Sequence, residues 1–330
     1  MEFEVAELLN KTDMYELACK TNHKLVLSAE EQEVRDQLDA YFKQVGKTGH
    51  DANHEIAAFI TKVVNEEVYN TPDELLDALF DQGTIGAYDD FEAYKLPPKN
   101  TLVAHEAAFG GNVERSFLDI SVLTPQWANY QIESDISFAD LERGGWKTIA
   151  LITEYAVAAL KNTLFQVIFD KIDGAIVSGA ENYISVAQAM PTEIAMQQAA
   201  LYIQDRTNSN EGAFVARSKY VQAISLFPTF VSQEMMNEVH RTGRLGTYQG
   251  VSLYPISSAK KLGDGSGLIM DKRIFGIAGK IGSLTMKGDI KTYQTEDVNK
   301  EVIHLLFKNF TFGYAFNKDT LENVVKVVLQ

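Results

Sequence analysis

The spacing of apolar residues predicts a helical N-terminal part followed by a mixed region of helices and strands. Through residues 1–82, apolar side chains recur at steps of three and four, which is typical of short amphipathic helices. Ser28 and Glu31 form a capping-box pair at the start of one helix, and Pro72 stands at the first position of another. Gly83 is expected to end the last of these helices.

Residues 83–98 lose the helical spacing and are punctuated by glycine and proline, which predicts an extended connector. Its three aromatic side chains, Tyr88, Phe91 and Tyr94, need a surface to lie on. Either this chain or a neighbouring subunit supplies that surface, and the pattern leaves both open.

Residues 101–136 predict two β-runs around a turn. The runs at 101–104 and 116–123 flank the turn, and residues 130–136 alternate as a strand does. The turn comprises Phe109, Gly110, Gly111 and Asn112. A two-stranded hairpin is only marginally stable in water by itself, so we expect this one to lie against another surface.

The strongest helical signal covers residues 146–172, where nearly every position is apolar. Ser137 caps the preceding turn with Asp140 three positions on, and the glycines at 144–145 predict a kink. A helix this apolar must be covered on most sides, and at about 1.5 Å per residue it is roughly 40 Å long. Its predicted end is Asp173.

The rest of the chain interleaves helices and strands without the regular order of a βαβ fold, which predicts the α+β class. The predicted helices cover 191–206 and 231–241. The predicted strands cover 213–217, 250–254, 268–270, 287–293 and 302–316. Residues 302–307 are apolar enough to be buried on both faces of a sheet.

Composition and charge narrow the function classes. The chain has 330 residues, 45% of them hydrophobic and 23% charged, which is ordinary for a folded protein of one or two domains. Its one cysteine, Cys19, excludes an internal disulfide and the cysteine-based zinc spacings. Residues 1–90 carry 20 acidic and 7 basic side chains, and residues 91–330 carry 25 and 23, so the net charge of −15 lies mostly in the N-terminal part. Such a segment repels phosphate, which argues against a nucleic-acid reader.

Targeting and phosphate-binding motifs are not expected. The chain begins Met1-Glu2-Phe3-Glu4, which is acidic where a signal peptide would be basic. Charged residues interrupt the longest apolar stretch, so it is a poor bilayer span. The glycine-rich run at 263–267 lacks the lysine that completes a phosphate-binding loop.

No catalytic, cofactor or metal site is predicted. His50 and His54 stand four apart, followed by Glu55, and on a helix the two imidazoles would share a face that could hold a metal in a hydrolase. No third ligand can be named, so we interpret them as side chains of a solvated helix. Asp170 and Asp173 are interpreted as solvated charge, with buried ion pairing to a neighbour as the second option.

The order of these parts resembles the major capsid proteins of tailed bacteriophages of the Hong Kong ninety-seven type. A helical arm, a long hairpin, a long apolar helix and a mixed α/β region follow one another as in that family. The resemblance covers about residues 88–330. The segments similar to family motifs are the returning strand of an extended loop at 117–125, the start of a spine helix at 136–141, its close at 173–179, a glycine-valine strand at 244–251 and a late peripheral-domain strand at 307–316.

The resemblance implies a phage capsid fold with five regions. These are an acidic helical N-terminal segment and arm at 1–98, an extended β-hairpin loop at 99–136, the spine helix with the first part of the peripheral domain at 137–184, the axial domain at 185–275, and peripheral-domain strands with the C-terminal return at 276–330. The extended loop is expected to lie over a neighbouring subunit. The expected inter-subunit contacts are Phe109, Gly110, Gly111, Asn112, Glu114, Arg115, Tyr88, Phe91 and Tyr94.

Two features bear on the shell that the resemblance implies. Some family members crosslink a lysine of the extended loop to a neighbour's asparagine, whereas here no lysine lies between Lys99 and Lys147, so we predict a non-covalent shell. The acidic segment 1–82 is similar to a scaffolding-like domain that is often removed in the family. Because the chain begins at Met1, we expect the segment to be retained.

The resemblance implies a non-enzymatic subunit that forms hexamers and pentamers of an icosahedral head. The head encloses double-stranded DNA without sequence-specific binding, and further partners are scaffolding, portal or decoration proteins. No cofactor or membrane is expected, and the subunit would assemble in the host cytoplasm and reside in the virion. An encapsulin-like compartment, which shares the fold but encloses protein, is the first alternative, and a metal-dependent hydrolase is the second.

Overall fold

The computed structural model describes residues 12–51, 54–70, 74–96, 121–206, 212–227, 246–257, 268–297, 299–316 and 321–330. The helices in these ranges are α1 Met14–Asn22, α2 Ala29–Thr48, α3 Glu55–Asn65 with a π-helical turn Glu66–Asn70, α4 Glu74–Leu79, α5 Phe138–Gly144, α6 Trp146–Ala175, α7 Glu193–Arg206 and α8 Ser218–Ile224. The strands are β1 Phe80–Ile85, β2 Tyr94–Lys95, β3 Val122–Leu123, β4 Gln126–Ser137, β5 Tyr183–Val186, β6 Gly212–Arg217, β7 Thr247–Tyr248, β8 Val251–Ile256, β9 Arg273–Ala278, β10 Gly282–Lys287, β11 Lys291–Asp297, β12 Val302–Ala315 and β13 Val324–Leu329.

Short amphipathic helices form the N-terminal part, as the apolar spacing predicts. The Glu31 N–H donates to Ser28 Oγ at 3.2 Å and the Ser28 N–H donates to Glu31 Oε2 at 2.6 Å, so the predicted capping box begins α2. The helix ends at Gly49, which has the left-handed φ of 65° that glycine adopts without strain. The buried faces of α1, α2 and α3 join the same core as the long helix α6.

A kink at Gly145 separates α5 from α6, as the two consecutive glycines predict. The Asp140 N–H donates to Ser137 Oγ at 3.0 Å and begins α5. Gly145 then takes φ 50° and ψ −126°, which breaks the helical path. The second helix, α6, has 30 residues, about 45 Å in length, and ends at Ala175, two residues beyond the predicted end.

The strand β12 organises a five-stranded sheet. Along one side it pairs antiparallel with β4, and along the other it pairs with β11 and then with β10. The strand β1 adds to β10 in parallel. Burial alternates along residues 302–307, so the expectation that this run is buried on both faces is wrong. The reason is that helices cover one face of the sheet, while side chains on the other face stay partly exposed.

The second sheet has six strands in the order β5–β13–β9–β6–β8–β7. The helix α7 lies against it through small and flexible side chains. Gly276 on β9 allows this close approach, since a Cβ at that position would lie 2.7 Å from Ile203 Cδ1. The last strand, β13, lies inside this sheet rather than at its edge.

Asp173 joins the end of α6 to the six-stranded sheet. Its Oδ1 lies 2.7 Å from Lys326 Nζ on β13 and 3.1 Å from Arg273 Nε on β9. Lys326 is only 5% exposed, and its ammonium group also donates to the carbonyl oxygens of Asp173 and Ile176. The interpretation of Asp173 as solvated charge is therefore wrong, because the residue forms ion pairs with two residues of its own chain.

Three sequence predictions of local structure are wrong. Gly83 does not end a helix, because it lies in β1 and pairs with β10. The single strand predicted over 287–293 is divided between the end of β10 and the start of β11, with a turn at 288–290 between them. Leu268 and Ile269 are buried, but in an irregular segment rather than a strand, and the strand β9 directly after them was missed.

Other predictions fall outside the described residues. They are the N-terminal residues 1–11, the cap at 71–73, the hairpin strands and tip at 101–120, the helix at 231–241 and the glycine-rich run at 263–267.

Candidate inter-subunit surface

The turn after β1 presents Tyr88 to solvent. The Gly86 N–H donates to Asp89 Oδ2 at 2.9 Å, and the Asp89 N–H donates to the Gly86 carbonyl oxygen at 3.1 Å, which closes the turn. Tyr88 is 99% exposed at its tip. Exposed aromatic side chains are enriched where proteins contact one another, so the turn offers an anchor for a second molecule.

Phe91, three residues further on, packs on its own chain. The Lys287 ammonium lies 5.3 Å from the centre of the Phe91 ring, in cation–π geometry. Gly313 on β12 leaves room for the ring, since a Cβ there would lie 2.6 Å from it. For Phe91, this chain therefore supplies the surface that the connector needs.

Tyr88, Phe91 and Trp127 line a groove of 660 Å³ between the connector and the five-stranded sheet. Trp127 is 69% exposed, and the groove carries charge of both signs, from Lys287, Lys291, Asp90 and Asp289. Sequence reasoning did not single out Trp127. The outward alternation of β4 could have identified it, since Trp127 shares the exposed positions of that strand.

Tyr94 lies at the base of the predicted hairpin. It stands opposite Leu123 in the antiparallel pair of β2 and β3, and the Leu96 N–H donates to the Ser121 carbonyl oxygen at 3.0 Å. Partial burial raises the pKa of Tyr94, with a further contribution from the charge of Asp81. The six residues expected to make contacts from the loop lie outside the described residues: Phe109, Gly110, Gly111, Asn112, Glu114 and Arg115.

The strand β4 is a long edge of the five-stranded sheet. It has 12 residues, and within the described ranges it pairs with β12 alone. No other described strand pairs with the far side of its backbone, and unpaired backbone groups of this kind can pair with a further strand. Glu133 and Asp135 point outward along this edge, and Asp135 Oδ1 lies 2.5 Å from His304 Nδ1. Charged side chains on an edge strand limit its pairing with unrelated strands, so that only a strand with a complementary surface can pair with it.

One stripe of α6 is also open. Leu151 and Tyr155, one turn apart on the helix, are 39% and 63% exposed. The stripe begins at a groove of 540 Å³ whose lining includes Arg143 and Lys147. Among the described residues no helix, α6 included, combines the length and the apolarity that crossing a bilayer requires.

A larger groove, of 860 Å³, lies where α6 ends. Its apolar lining includes Ile176, Val177 and Phe316, and Val177 is 62% exposed. Leu123 of β3 also reaches this groove, so it lies beside the base of the predicted hairpin. This groove adds to the apolar surface that the described chain leaves uncovered.

The histidine pair does not form the helical face on which the hydrolase alternative depends. The helix α2 ends before His50 and α3 begins after His54, so both lie in the connecting segment, and the interpretation of them as side chains of a solvated helix is also wrong. His50 Nδ1 instead lies 2.7 Å from Glu296 Oε2 on β11. In the part of the chain that the structure describes, no group of three His, Cys, Asp or Glu side chains is arranged to hold a metal ion.

The fold is shared with chains from several phages. A chain from Gordonia phage Cozz superposes with a TM-score of 0.56 at 12% identity, covering 79% of this chain and 87% of that one. A chain from Mycobacterium phage Ogopogo gives 0.53 at 12% identity, with 78% and 92% covered. A chain from Microbacterium phage Oxtober96 gives 0.50 at 11% identity, with 79% and 92% covered. At these identities the likeness establishes the fold.

The sequence itself matches a family. Residues 6–315 match the family described as "SPbeta prophage-derived putative capsid protein YonB". No individually curated protein matches the chain at a significant level. Fold and family together define a phage major capsid protein. The chain belongs to the YonB capsid protein family.

Proposed function

We propose that this protein assembles with copies of itself into hexamers and pentamers, which tile an icosahedral head around double-stranded DNA. The observation that carries the proposal is the 12-residue open edge of β4, bordered by the exposed rings of Tyr88 and Trp127. A long edge strand beside exposed aromatic side chains would promote aggregation of a monomer, whereas in a shell subunit it can form an interface. Contacts between unlike patches of identical subunits close into rings.

The division into regions follows from the same proposal. Residues 99–136 would form the extended loop over a neighbouring subunit, and Phe109, Gly110, Gly111, Asn112, Glu114 and Arg115 would contact that neighbour. Tyr88 and Trp127 would join them, while Phe91 and Tyr94 would shape the surface from within the subunit. Residues 137–184 would supply the spine helix, 185–275 the axial domain at the capsomer centre, and 276–330 the peripheral strands.

The net charge of the chain and its exposed surfaces indicate the proposed partners. The net charge of −15 repels DNA phosphates, which supports enclosing DNA without gripping its sequence. The subunit would act without catalysis, assemble in the host cytoplasm and reside in the virion. Scaffolding, portal and decoration proteins would complete the particle.

The test compares assembly of variants by light scattering and sedimentation. Replacing both Tyr88 and Trp127 by serine removes the exposed rings while leaving the packed Phe91 in place, so we expect folded subunits that fail to form particles. The matched control is Tyr293→Ser, which removes a half-exposed ring from β11, outside the lining of the 660 Å³ groove. If the double variant assembles as fast as the control, these rings are not contacts.

Nucleic acid measured in purified particles separates the proposal from its first alternative. Double-stranded DNA inside supports a phage head. A protein cargo with no DNA would instead support an encapsulin-like compartment.

A further inference from the structure

We propose that the N-terminal helices α1, α2 and α3 form a permanent clamp on the kink between α5 and α6, and that the finished shell keeps them. The clamp itself is a property of the single subunit. Only its persistence in the shell rests on the proposed function.

The first element of the clamp is a cap supplied from another helix. The start of α6 has no side-chain cap of its own at Gly145. Asp39 of α2 fills this role, since its Oδ1 accepts a hydrogen bond from the Trp146 N–H at 3.2 Å. A carboxylate at the first turn of a helix satisfies a free N–H and complements the helix dipole. Lys43 Nζ, 2.7 Å from Asp39 Oδ2, holds the carboxylate in place.

The second element is close contact of α2 with both arms of the kink. A Cβ at Gly46 would lie 2.4 Å from the backbone nitrogen of Glu142 on α5. A Cβ at Gly145, where φ is 50°, would lie 2.3 Å from Asp39 Oδ1 and 3.0 Å from the Asp39 carbonyl oxygen. Glycine on each side of the contact lets the backbones approach, and it fixes α2 against α5 and the start of α6 together.

The third element is the indole of Trp146, which all three N-terminal helices enclose. Its Nε1–H donates to Thr21 Oγ1 of α1 at 3.1 Å. Its ring lies 6.3 Å from Phe42 of α2, in stacked geometry, and 5.5 Å from Phe59 of α3, edge to face. Trp146 is 1% exposed as a result.

The contacts continue along α6. Asn22 Nδ2 donates to Glu154 Oε2 at 2.6 Å, and Lys161 Nζ lies 2.6 Å from Glu67 Oε1. Removing the N-terminal helices would therefore uncover Trp146 and the apolar face of α6 behind it, and would leave the kink without its cap. An apolar face of that kind drives aggregation, so the clamp is built into the subunit rather than added as a removable aid.

A nicked subunit tests the clamp directly. A protease site inserted between Asn70 and Thr71 lies after the N-terminal helices and before β1, so cutting the folded, unassembled full-length chain there leaves the strand that pairs with β10 on the larger fragment. We expect the two fragments to co-elute in gel filtration and to unfold in one transition, as the uncut insertion control does. Separation of an N-terminal fragment from a folded, soluble remainder would overturn the proposal.

A pair of single substitutions tests the cap. Asp39→Ala should lower the thermal midpoint of the subunit by about 2 °C or more, because the start of α6 loses its partner. Asp36→Ala, on the solvent side of the same helix, should leave the midpoint unchanged. Equal midpoints for the two variants would contradict the role of Asp39.

Peptide mapping of subunits recovered from finished particles tests persistence. Peptides from α1, α2 and α3 should be present in the same amount as peptides from α6. Their loss from particles would show that the segment is removed, while the nicking result would still decide whether it clamps the free subunit.

Discussion

Asp51 and Glu296 attach the N-terminal helices to β11 through a compact set of hydrogen bonds. Asp51 is 1% exposed, and its Oδ2 accepts from the Ile56 N–H and from Gln294 Nε2, each at 3.1 Å. The Asp51 N–H donates to Glu296 Oε1 at 2.8 Å, and His50 lies against the other oxygen of Glu296. A buried carboxylate held in this way begins α3 and docks it on the sheet at the same time.

The His50–Glu296 contact should make stability depend on pH. The hydrogen bond to Glu296, and then its charge, raise the pKa of His50 above the ordinary 6.5, with Asp51 adding to the effect. Burial pushes the pKa of Glu296 upward, but hydrogen bonds from His50 and the Asp51 backbone and the nearby charges of His50 and His54 outweigh it, so the pKa falls below the ordinary 4.5. The contribution of His50 to the free energy of unfolding is therefore fully present below pH 6.5, and it is lost as the pH rises through the raised pKa of His50. The Glu296 contribution is present above pH 4.5 and lost as pH falls through its lowered pKa.

His50→Ala measures that dependence. We expect the variant to melt below the unsubstituted protein at pH 5.5 and to differ little from it at pH 8.5, with thermal midpoints recorded by circular dichroism. A difference that is the same at both pH values would mean that the charge of His50 contributes nothing.

Asp173 should contribute more to the free energy of unfolding than His50 does, because its carboxylate compensates the charge of a buried lysine. Asp173→Ala leaves the ammonium of Lys326 without its carboxylate in a site that is 5% exposed, so we expect a loss of about 3 kcal/mol in the free energy of unfolding by urea. The control is Asp170→Ala, an exposed carboxylate three residues earlier on the same helix, which should change it by less than about 0.5 kcal/mol. Similar losses for the two variants would refute this role.

At the scale of elements, the sequence predicted those features that depend on residues close together along the chain. The capping box of Ser28 and the kink at Gly145 follow from local hydrogen bonding and backbone freedom, and both are present. Gly83 was misassigned because β1 gains its partner, β10, from about 200 residues away, and no local signal reports that pairing. At the candidate surface, Tyr88 was identified from composition, but Trp127 is exposed only because of the register of β4 on β12.

Strand packing gives a prediction at this scale. A Cβ at Gly282 on β10 would lie 2.0 Å from the carbonyl oxygen of Ala315 on β12, so Gly282→Ala must push two paired strands apart. We expect a loss of about 1–3 kcal/mol in unfolding free energy. Gly83→Ala on β1 is the matched control, since its Cβ would meet only Thr285 Oγ1 at 3.9 Å, and it should be close to neutral. A neutral Gly282→Ala would mean that the two strands tolerate wider separation than their pairing indicates.

The whole molecule combines a well-packed core with exposed surfaces at its periphery. The N-terminal helices, α6 and one face of the five-stranded sheet share a continuous core. The described residues leave uncovered the β4 edge, the stripe at Leu151 and Tyr155 and the grooves at both ends of α6. Surfaces of this kind suit a subunit that completes its packing against copies of itself.

Particles should be held by non-covalent contacts. No lysine lies between Lys99 and Lys147, so the tip of the proposed extended loop lacks the amine that a lysine–asparagine crosslink would need. Boiling particles in detergent should release a single monomer band on a denaturing gel. A ladder of covalent multimers would contradict the prediction.

Electron microscopy of the purified protein tests self-assembly most directly. Images of negatively stained samples should contain closed shells or six- and five-membered rings, in which the β4 edge and the Tyr88 turn of one subunit meet the next. A monodisperse, compact monomer over the whole concentration range, with residues 101–136 folded into its own interior, would contradict the proposed role as a shell subunit.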